Sequence, residues 1–195
     1  MIREQSDFLP GRSIHDAVAI TQEVMHSINS KNLNVGIIKI DLNKAYDRVD
    51  WSFIKLILYK IGLTSDSVDS IVRCISSSSI FVIINGMTSN FFRPRRGLRQ
   101  GCALSPLLFI LVMDALSLNI KRDVTTGEFS GLNISEKDAT SHSFFVDDVL
   151  IFGLMIISNW RRLGQIFNNF YYASGMEANN SKSCFYHSEG SPEVV

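Results

Sequence analysis

Two adjacent aspartates, Asp147 and Asp148, interrupt an otherwise apolar run, with Phe144-Phe145-Val146 before them and Val149-Leu150-Ile151-Phe152 after. An ionised carboxylate is costly to bury unless it is paired or holds a metal. Two side by side also repel and raise each other's pKa. A chain that carries such a pair needs either a cation beside it or an exposed turn at which the apolar strand reverses. A hairpin bent at the aspartates is compatible with both. The run alone leaves a bound divalent metal and a solvated turn open.

The 195 residues suffice for one domain with a well-buried core. A hydrophobic content of 46%, with 13 Phe, excludes a disordered chain. Lys+Arg and Asp+Glu both number 19, so no overall basic charge advertises a nucleic-acid partner. The basic residues are uneven, however, with Arg93, Arg95, Arg96 and Arg99 crowded into one short segment. Cys74, Cys102 and Cys184 are far apart and odd in number, which argues for a reducing compartment and against a zinc site. His15, His26, His142 and His187 form no ligand cluster, and core or surface positions are expected for them. The longest apolar stretch, Leu107 to Met113, is well short of the ~20 residues that span a bilayer. With no signal peptide at Met1-Ile2-Arg3-Glu4, the expectation is an intracellular protein of nucleus or cytoplasm, without a membrane partner.

The pattern along the chain predicts a mixed α+β domain without repeats. Ser13 with Asp16 resembles a capping box, followed by a helical stripe from Ile14 to Ile28. Val35 to Ile40 reads as a buried strand that ends at Asp41. Asp50 is the expected N-cap of a helix over Trp51–Ile61, stopped by Gly62, and a short helix is expected over Ser67–Ile75. Ile80–Ile84 and Met87–Phe92 flank Asn85-Gly86, a type I′ hairpin signal. Ser105-Pro106 signals a helix start, with a buried helix to about Ile120. Strands are expected at Phe129–Ile134, His142–Phe152 and Cys184–His187, with a helix over Asn159–Ala173.

If Asp41 ends one strand and Asp147-Asp148 tip a hairpin, three carboxylates can meet at one sheet edge. Two magnesium ions roughly 4 Å apart need such a set for in-line phosphoryl transfer. Mg²⁺ takes few protein ligands because substrate phosphates and waters complete its shell.

Three blocks together resemble the palm of a reverse transcriptase, specifically that of plant non-LTR (LINE-type) retroelements. They are Ile38-Lys39-Ile40-Asp41-Leu42-Asn43-Lys44-Ala45-Tyr46-Asp47, the run from Arg96-Gly97-Leu98-Arg99-Gln100-Gly101 to Ser105-Pro106-Leu107-Leu108-Phe109, and Phe145-Val146-Asp147-Asp148. Gly175-Met176 through Asn179 to Lys182 is similar to the family's next segment, and Gln5 to Ser13 to its fingers-side motif. The resemblance implies an α+β right-hand polymerase fold, an antiparallel sheet packed on helices, with residues 1–34 as partial fingers and 35–195 as palm. It implies an RNA-directed DNA polymerase that adds dNTPs to a DNA primer on an RNA template, using two Mg²⁺ ions or Mn²⁺. Asp41 and Asp147 would bridge the metals, Asp148 would support the metal site and the primer end, and the Leu42 carbonyl would be a further ligand. Tyr46 would be a steric gate against a 2′-OH or an ordinary core aromatic. Gln100 and Gly101 would line the nucleotide and template pocket, Arg96 and Arg99 would touch template phosphates, and Arg12 would reach the triphosphate. Lys182 would be the general acid for pyrophosphate or a solvated loop lysine, and Asp47 and Asp50 are assigned to local helix starts.

The family's thumb and endonuclease domain are expected to be absent, which makes the chain a truncated reverse-transcriptase domain. The rival readings are a catalytically inactive retroelement relic or RNA-binding remnant, and a viral-type RNA-dependent RNA polymerase. Ala45-Tyr46 and the Gln-Gly to Ser-Pro block weigh against the last.

Overall fold

A short antiparallel sheet carries the molecule, and β1 lies at its middle. In the computed structural model, which describes residues 14–31, 33–133 and 139–188, the elements in chain order are α1 (Ile14–Lys31), β1 (Val35–Asp41), α2 (Ala45–Arg48), α3 (Trp51–Lys60), α4 (Ser65–Ser76), β2 (Ile83–Ile84), β3 (Met87–Thr88), α5 (Leu104–Thr125), β4 (Leu132–Asn133), β5 (Ala139–Thr140), β6 (His142–Phe145), β7 (Asp148–Leu154), α6 (Ile157–Ser174) and β8 (Cys184–His187). The main sheet has the order β6-β7-β1-β8, with every neighbour antiparallel. This is the α+β, antiparallel architecture that the sequence implied.

The β1 run Val-Gly-Ile-Ile-Lys-Ile-Asp alternates between two buried faces. Ile38 and Ile40, with Val149 and Ile151 opposite them, join the main core beneath α5 and α6. On the other face, Val35 and Phe152 meet Val24 and Ile28 of α1 in a smaller cluster. Helix α5 supplies Leu108, Phe109, Val112, Met113, Leu116 and Ile120, a stripe that is buried at helical spacing. Its 22 residues are long and apolar enough to cross a membrane, yet more than half of its most apolar window is buried inside this domain. That apolarity serves the core.

Several local expectations shift by a few residues, and each shift has a physical cause. Helix α5 begins at Leu104 instead of after Ser105 and runs to Thr125, beyond the expected end near Ile120, while the Ser105 hydroxyl bonds back to the Arg99 carbonyl at 2.7 Å. Helix α6 begins at Ile157, two residues before Asn159. The buried Asn159 side chain accepts from Ser130 N at 2.7 Å and donates to the carbonyls of Ser130 and Leu154. It joins the turn after α5 to the end of β7. The single turn α2 had no sequence signal, since four residues are too few to show a period.

Asp50 caps α3 as expected, accepting from Ser52 N at 2.6 Å. The Asn85-Gly86 turn has φ of 51° and 83°, the type I′ pattern. Only Ile83–Ile84 and Met87–Thr88 pair as strands there, and the return to the Ile80–Phe92 bridge takes one extra residue on the second strand. Of the predicted strand from Phe129, only Leu132–Asn133 is paired, and Ile134 lies outside the described residues.

His142 sits at the buried start of β6, with Nδ1 2.8 Å from Ser141 Oγ and Nε2 against Ser117 Oγ. Burial, and secondarily the charge of Lys121, pushes its pKa down to about 3. An unfolded His titrates near ~6.5, so the unfolded chain binds the extra proton between the two values. The resulting stability is present above pH ~6.5 and is lost as pH falls toward 3. Urea midpoints are therefore expected to decline across that window in the wild type, and His142→Gln should flatten the decline. An unchanged slope in the variant would remove His142 as the responsible group.

Candidate active site

The end of β1 and the start of β7 bring the carboxylates together. Their register pairs Asp41 with Asp148, and β6 pairs Phe145 with Asp148, leaving Val146-Asp147 as a two-residue turn. Directly opposed residues of an antiparallel pair share a face with Cβ atoms ~4.5–5.5 Å apart. Val146 takes φ 53°, a left-handed conformation that a β-branched residue rarely adopts, so the turn stores strain. Two residues before Asp41, Lys39 reaches across to place Nζ 3.2 Å from Asp148 Oδ1.

Asp147 is pushed above the usual carboxylate range. Partial burial is the largest cause, and the charges of Asp148 and Asp41 add to it, while its own backbone N–H and the Lys182 charge act the other way. Burial and neighbouring carboxylates both disfavour the charged form.

Beside the turn lies a cavity of about 590 Å³ into which Asp147, Tyr46, Arg99, Gln100 and Gly101 all face. Tyr46 is half-buried and stacked on Phe109, with ring centroids 4.5 Å apart and planes 16° from parallel. The walls of this cavity are joined by backbone bonds. Leu98 N donates to the Tyr46 carbonyl at 2.7 Å, and Gly97 N to the Val49 carbonyl at 2.8 Å. The indole N–H of Trp51 donates to the Gly97 carbonyl at 2.7 Å. Gly97 has φ +91°, and a Cβ there would stand 2.7 Å from the Asp47 carbonyl oxygen. Only glycine lets the two segments approach this closely.

The Asn179–Ser183 turn is attached to Asp41 itself. Asn179 N donates to the Asp41 carbonyl at 2.8 Å, and Asp41 N donates to Ser183 Oγ at 3.2 Å. The Asn179 side chain accepts from Ser181 N and Ser181 Oγ, which fixes the turn. Lys182 is thereby held exposed within electrostatic reach of Asp147.

Asp147, Tyr46, Arg99, Gln100 and Gly101 line the first cavity, and the other predicted residues lie elsewhere or outside the described residues. Arg96 lines a neighbouring cavity, beneath the β2–β3 hairpin, and shares Arg99 and Gln100 with the first. Asp148 faces a third cavity, under α1, together with Lys39 and Leu150. Leu42 is buried and bridges Ala178, and the two hydrogen bonds flanking that bridge run through Asp41 and Asn43, leaving the Leu42 carbonyl out of both. Asp47 lines the first two cavities, a placement that its assignment to a helix start did not anticipate. Arg12 and the Gln5–Ser13 segment lie outside the described residues. Lys39 and Glu177 were missed. Glu177 accepts from Asn43 Nδ2 at 2.8 Å and pairs with Arg48 at 2.6 Å. The strand alternation that puts Lys39 on the face of Asp41 was a legible signal for the first, and nothing in the sequence signalled the second.

Among the described residues, no three His, Cys, Asp or Glu side chains gather closely enough to hold a metal ion by themselves. Asp41, Asp147 and Asp148 offer only carboxylate oxygens, the donor type that Mg²⁺ and Mn²⁺ prefer. Such a set fits a site finished by substrate phosphates.

Residues 1–194 match the reverse transcriptase (RNA-dependent DNA polymerase) family, and the chain belongs to it. It is 28% identical over 149 residues to a 149 kDa protein of transposon TX1 from Xenopus laevis, covering 76% of this chain and 11% of that protein. It is also 28% identical over 148 residues to a Pol polyprotein of the type-2 retrotransposable element R2DM from Drosophila melanogaster, 76% of this chain and 13% of that protein. An uncharacterized mitochondrial protein of Arabidopsis thaliana is 40% identical over 70 residues, 35% of this chain and 57% of that one. The chain thus spans a small part of the retroelement proteins it matches. Telomerase from Candida albicans, solved with a fragment of telomeric RNA, superposes with TM-score 0.69 at 13% identity over 97% of this chain and 33% of that one. Apo telomerase from Candida tropicalis gives TM-score 0.66 at 16% identity, over 98% of this chain and 37% of that one. These structures show the fold to be that of the reverse-transcriptase polymerases. The family generally uses divalent metal ions.

Gly97→Ala should lower stability by about 1–3 kcal/mol from backbone strain alone, and further from the clash with Asp47. Equilibrium urea unfolding measures it, and a loss below ~0.5 kcal/mol would mean that the approach of these two segments is loose.

Proposed function

We propose that the chain is the polymerase core of a plant LINE-type non-LTR retroelement, with residues 35–195 as palm and the preceding ones as part of the fingers. It adds dNTPs to a primer 3′-OH on an RNA template, with two Mg²⁺ ions, or Mn²⁺, at Asp41 and Asp147. The observation that carries this reading is the register of Asp41 against Asp148, which sets Asp147 at the mouth of the cavity that holds Tyr46, Gln100 and Gly101. The homology to retrotransposon proteins of two animals supports the element type, and the Arabidopsis relative supports a plant source.

The bound metals would lower the pKa of the attacking hydroxyl and stabilise the leaving pyrophosphate. Everything else falls to the chain. Asp147 and Asp41 would hold the cations, the Leu42 carbonyl would offer one further oxygen, and Asp148 would support the metal site and the primer end. Tyr46, locked by its stack on Phe109, presents a fixed ring edge to the incoming sugar, where a 2′-OH would collide with it. Gln100 and the side-chain-free Gly101 contact the nucleotide and template, while Arg96 and Arg99 take template phosphates. Lys182, near Asp147, protonates the pyrophosphate as it leaves, and Arg12 steadies the triphosphate.

Primer extension on an RNA template with a DNA primer, dNTPs and Mg²⁺ tests this. Asp147→Asn is expected to reduce extension by at least ~10³-fold, as removal of a principal electrostatic group does, with no loss of stability on unfolding. A variant that keeps full activity would overturn the site. Tyr46→Ala is expected to admit ribonucleotides, and unaltered sugar selectivity would remove the gate.

A further inference from the structure

The two adjacent aspartates do not share one environment. Asp147 lines the cavity with Tyr46 and Gln100, whereas Asp148 lines the separate cavity under α1, beside Lys39. Both Asp41 and Lys39 project from the same face of β1, since they are two residues apart, and Asp148 stands directly opposite Asp41. Lys39 Nζ lies 3.2 Å from Asp148 Oδ1 with both side chains about 40% exposed (41% and 39%). The other titratable groups that interact with Lys39 are Asp41, Cys184 and Tyr186.

We propose that Lys39 is a positioning residue, an internal counter-cation that engages Asp148 and thereby assigns the metals to Asp41 and Asp147. The inference rests on the metal-dependent polymerase reading of this site. Two negative residues facing each other across β1 and β7 destabilise the register. A cation fixed on the same face offsets that repulsion before any metal arrives. It also opposes a divalent ion that would otherwise settle between Asp41 and Asp148, on the α1 side and away from the nucleotide cavity. Adjacent aspartates of one chemistry thus acquire different roles from one lysine.

The test is Mn²⁺ binding to the chain in the presence of saturating dTTP without primer, which supplies the phosphate oxygens the site needs. Binding is followed by the enhancement of water proton relaxation by the protein-bound ion. A wild-type chain that shows no enhancement overturns the metal reading and the proposal with it. Removing one positive charge beside exposed carboxylates in a water-like medium is expected to raise the affinity for a divalent cation about fivefold. Lys39→Met should accordingly bind Mn²⁺ three- to tenfold more tightly than wild type, and Lys39→Arg should match wild type. In an Asp148→Asn background the effect of Lys39→Met should shrink to under about twofold, because the engaged partner is gone. Undiminished tightening in that background would show a general field effect and overturn the proposal, as would wild-type affinity in Lys39→Met. Asp147→Asn separates the two layers of inference. If it leaves Mn²⁺ binding intact, the metal site itself is misassigned. If it abolishes binding while Lys39→Met behaves as wild type, only the role of Lys39 fails. Lys39→Gln, which keeps a polar tip, gives the same reading should the methionine variant not fold.

Discussion

The pairing of β1 with β7 is the constraint on which the rest of the structure depends. Seven consecutive residue pairs run from Val35 opposite Leu154 to Asp41 opposite Asp148. Alternation along these strands sends Ile38, Ile40, Val149 and Ile151 into the main core and leaves Lys39, Asp41 and Asp148 on the opposite face. A slip of one residue would bury the carboxylates under α5 and α6 and move the isoleucines to the α1 face. The hydrophobic effect therefore fixes the register, and the register fixes the site. The strained turn at Val146 persists because the strands on either side of it leave the chain no other way to reverse.

Around that pair, the segments that bear the chemistry are joined through their backbones. The Gly97-Leu98 segment bonds to the carbonyls of Val49 and Tyr46, Asp50 N bonds to the Ser174 carbonyl, and Asn179 N bonds to that of Asp41. Main-chain bonds hold position without using side chains. The Cα positions of Tyr46, Gln100, Lys182 and the aspartates are fixed in this way by the backbone around them. A polymerase site needs this division, because nucleotidyl transfer tolerates little misplacement of the reacting groups.

Much of this was legible in the chain. The β-branched run before Asp41, the cap at Asp50, the Asn85-Gly86 turn and the apolar stripe of α5 each follow from local chemistry, and all form where expected. What shifted depended on partners outside the element concerned. The starts of α5 and α6 moved because Ser105 and Asn159 spend their polar groups on partners outside their own helices. Tertiary bonding overrode the start signals there. The turn α2 gave no signal because four residues cannot display a helical period.

The sequence by itself determined the resemblance to a polymerase family, through the blocks around Asp41, Arg96 to Phe109 and Asp147, and it marked the aspartates as candidates because carboxylates in apolar runs are costly unless paired or exposed. Only the tertiary structure decided how they divide. Asp147 turns to the cavity of Tyr46 while Asp148 turns to Lys39, and Arg96 falls beside the site instead of within it. Adjacent residues of one type are indistinguishable in a sequence. The face each occupies depends on strand register and on partners far away in the chain, and those are properties of the folded sheet alone.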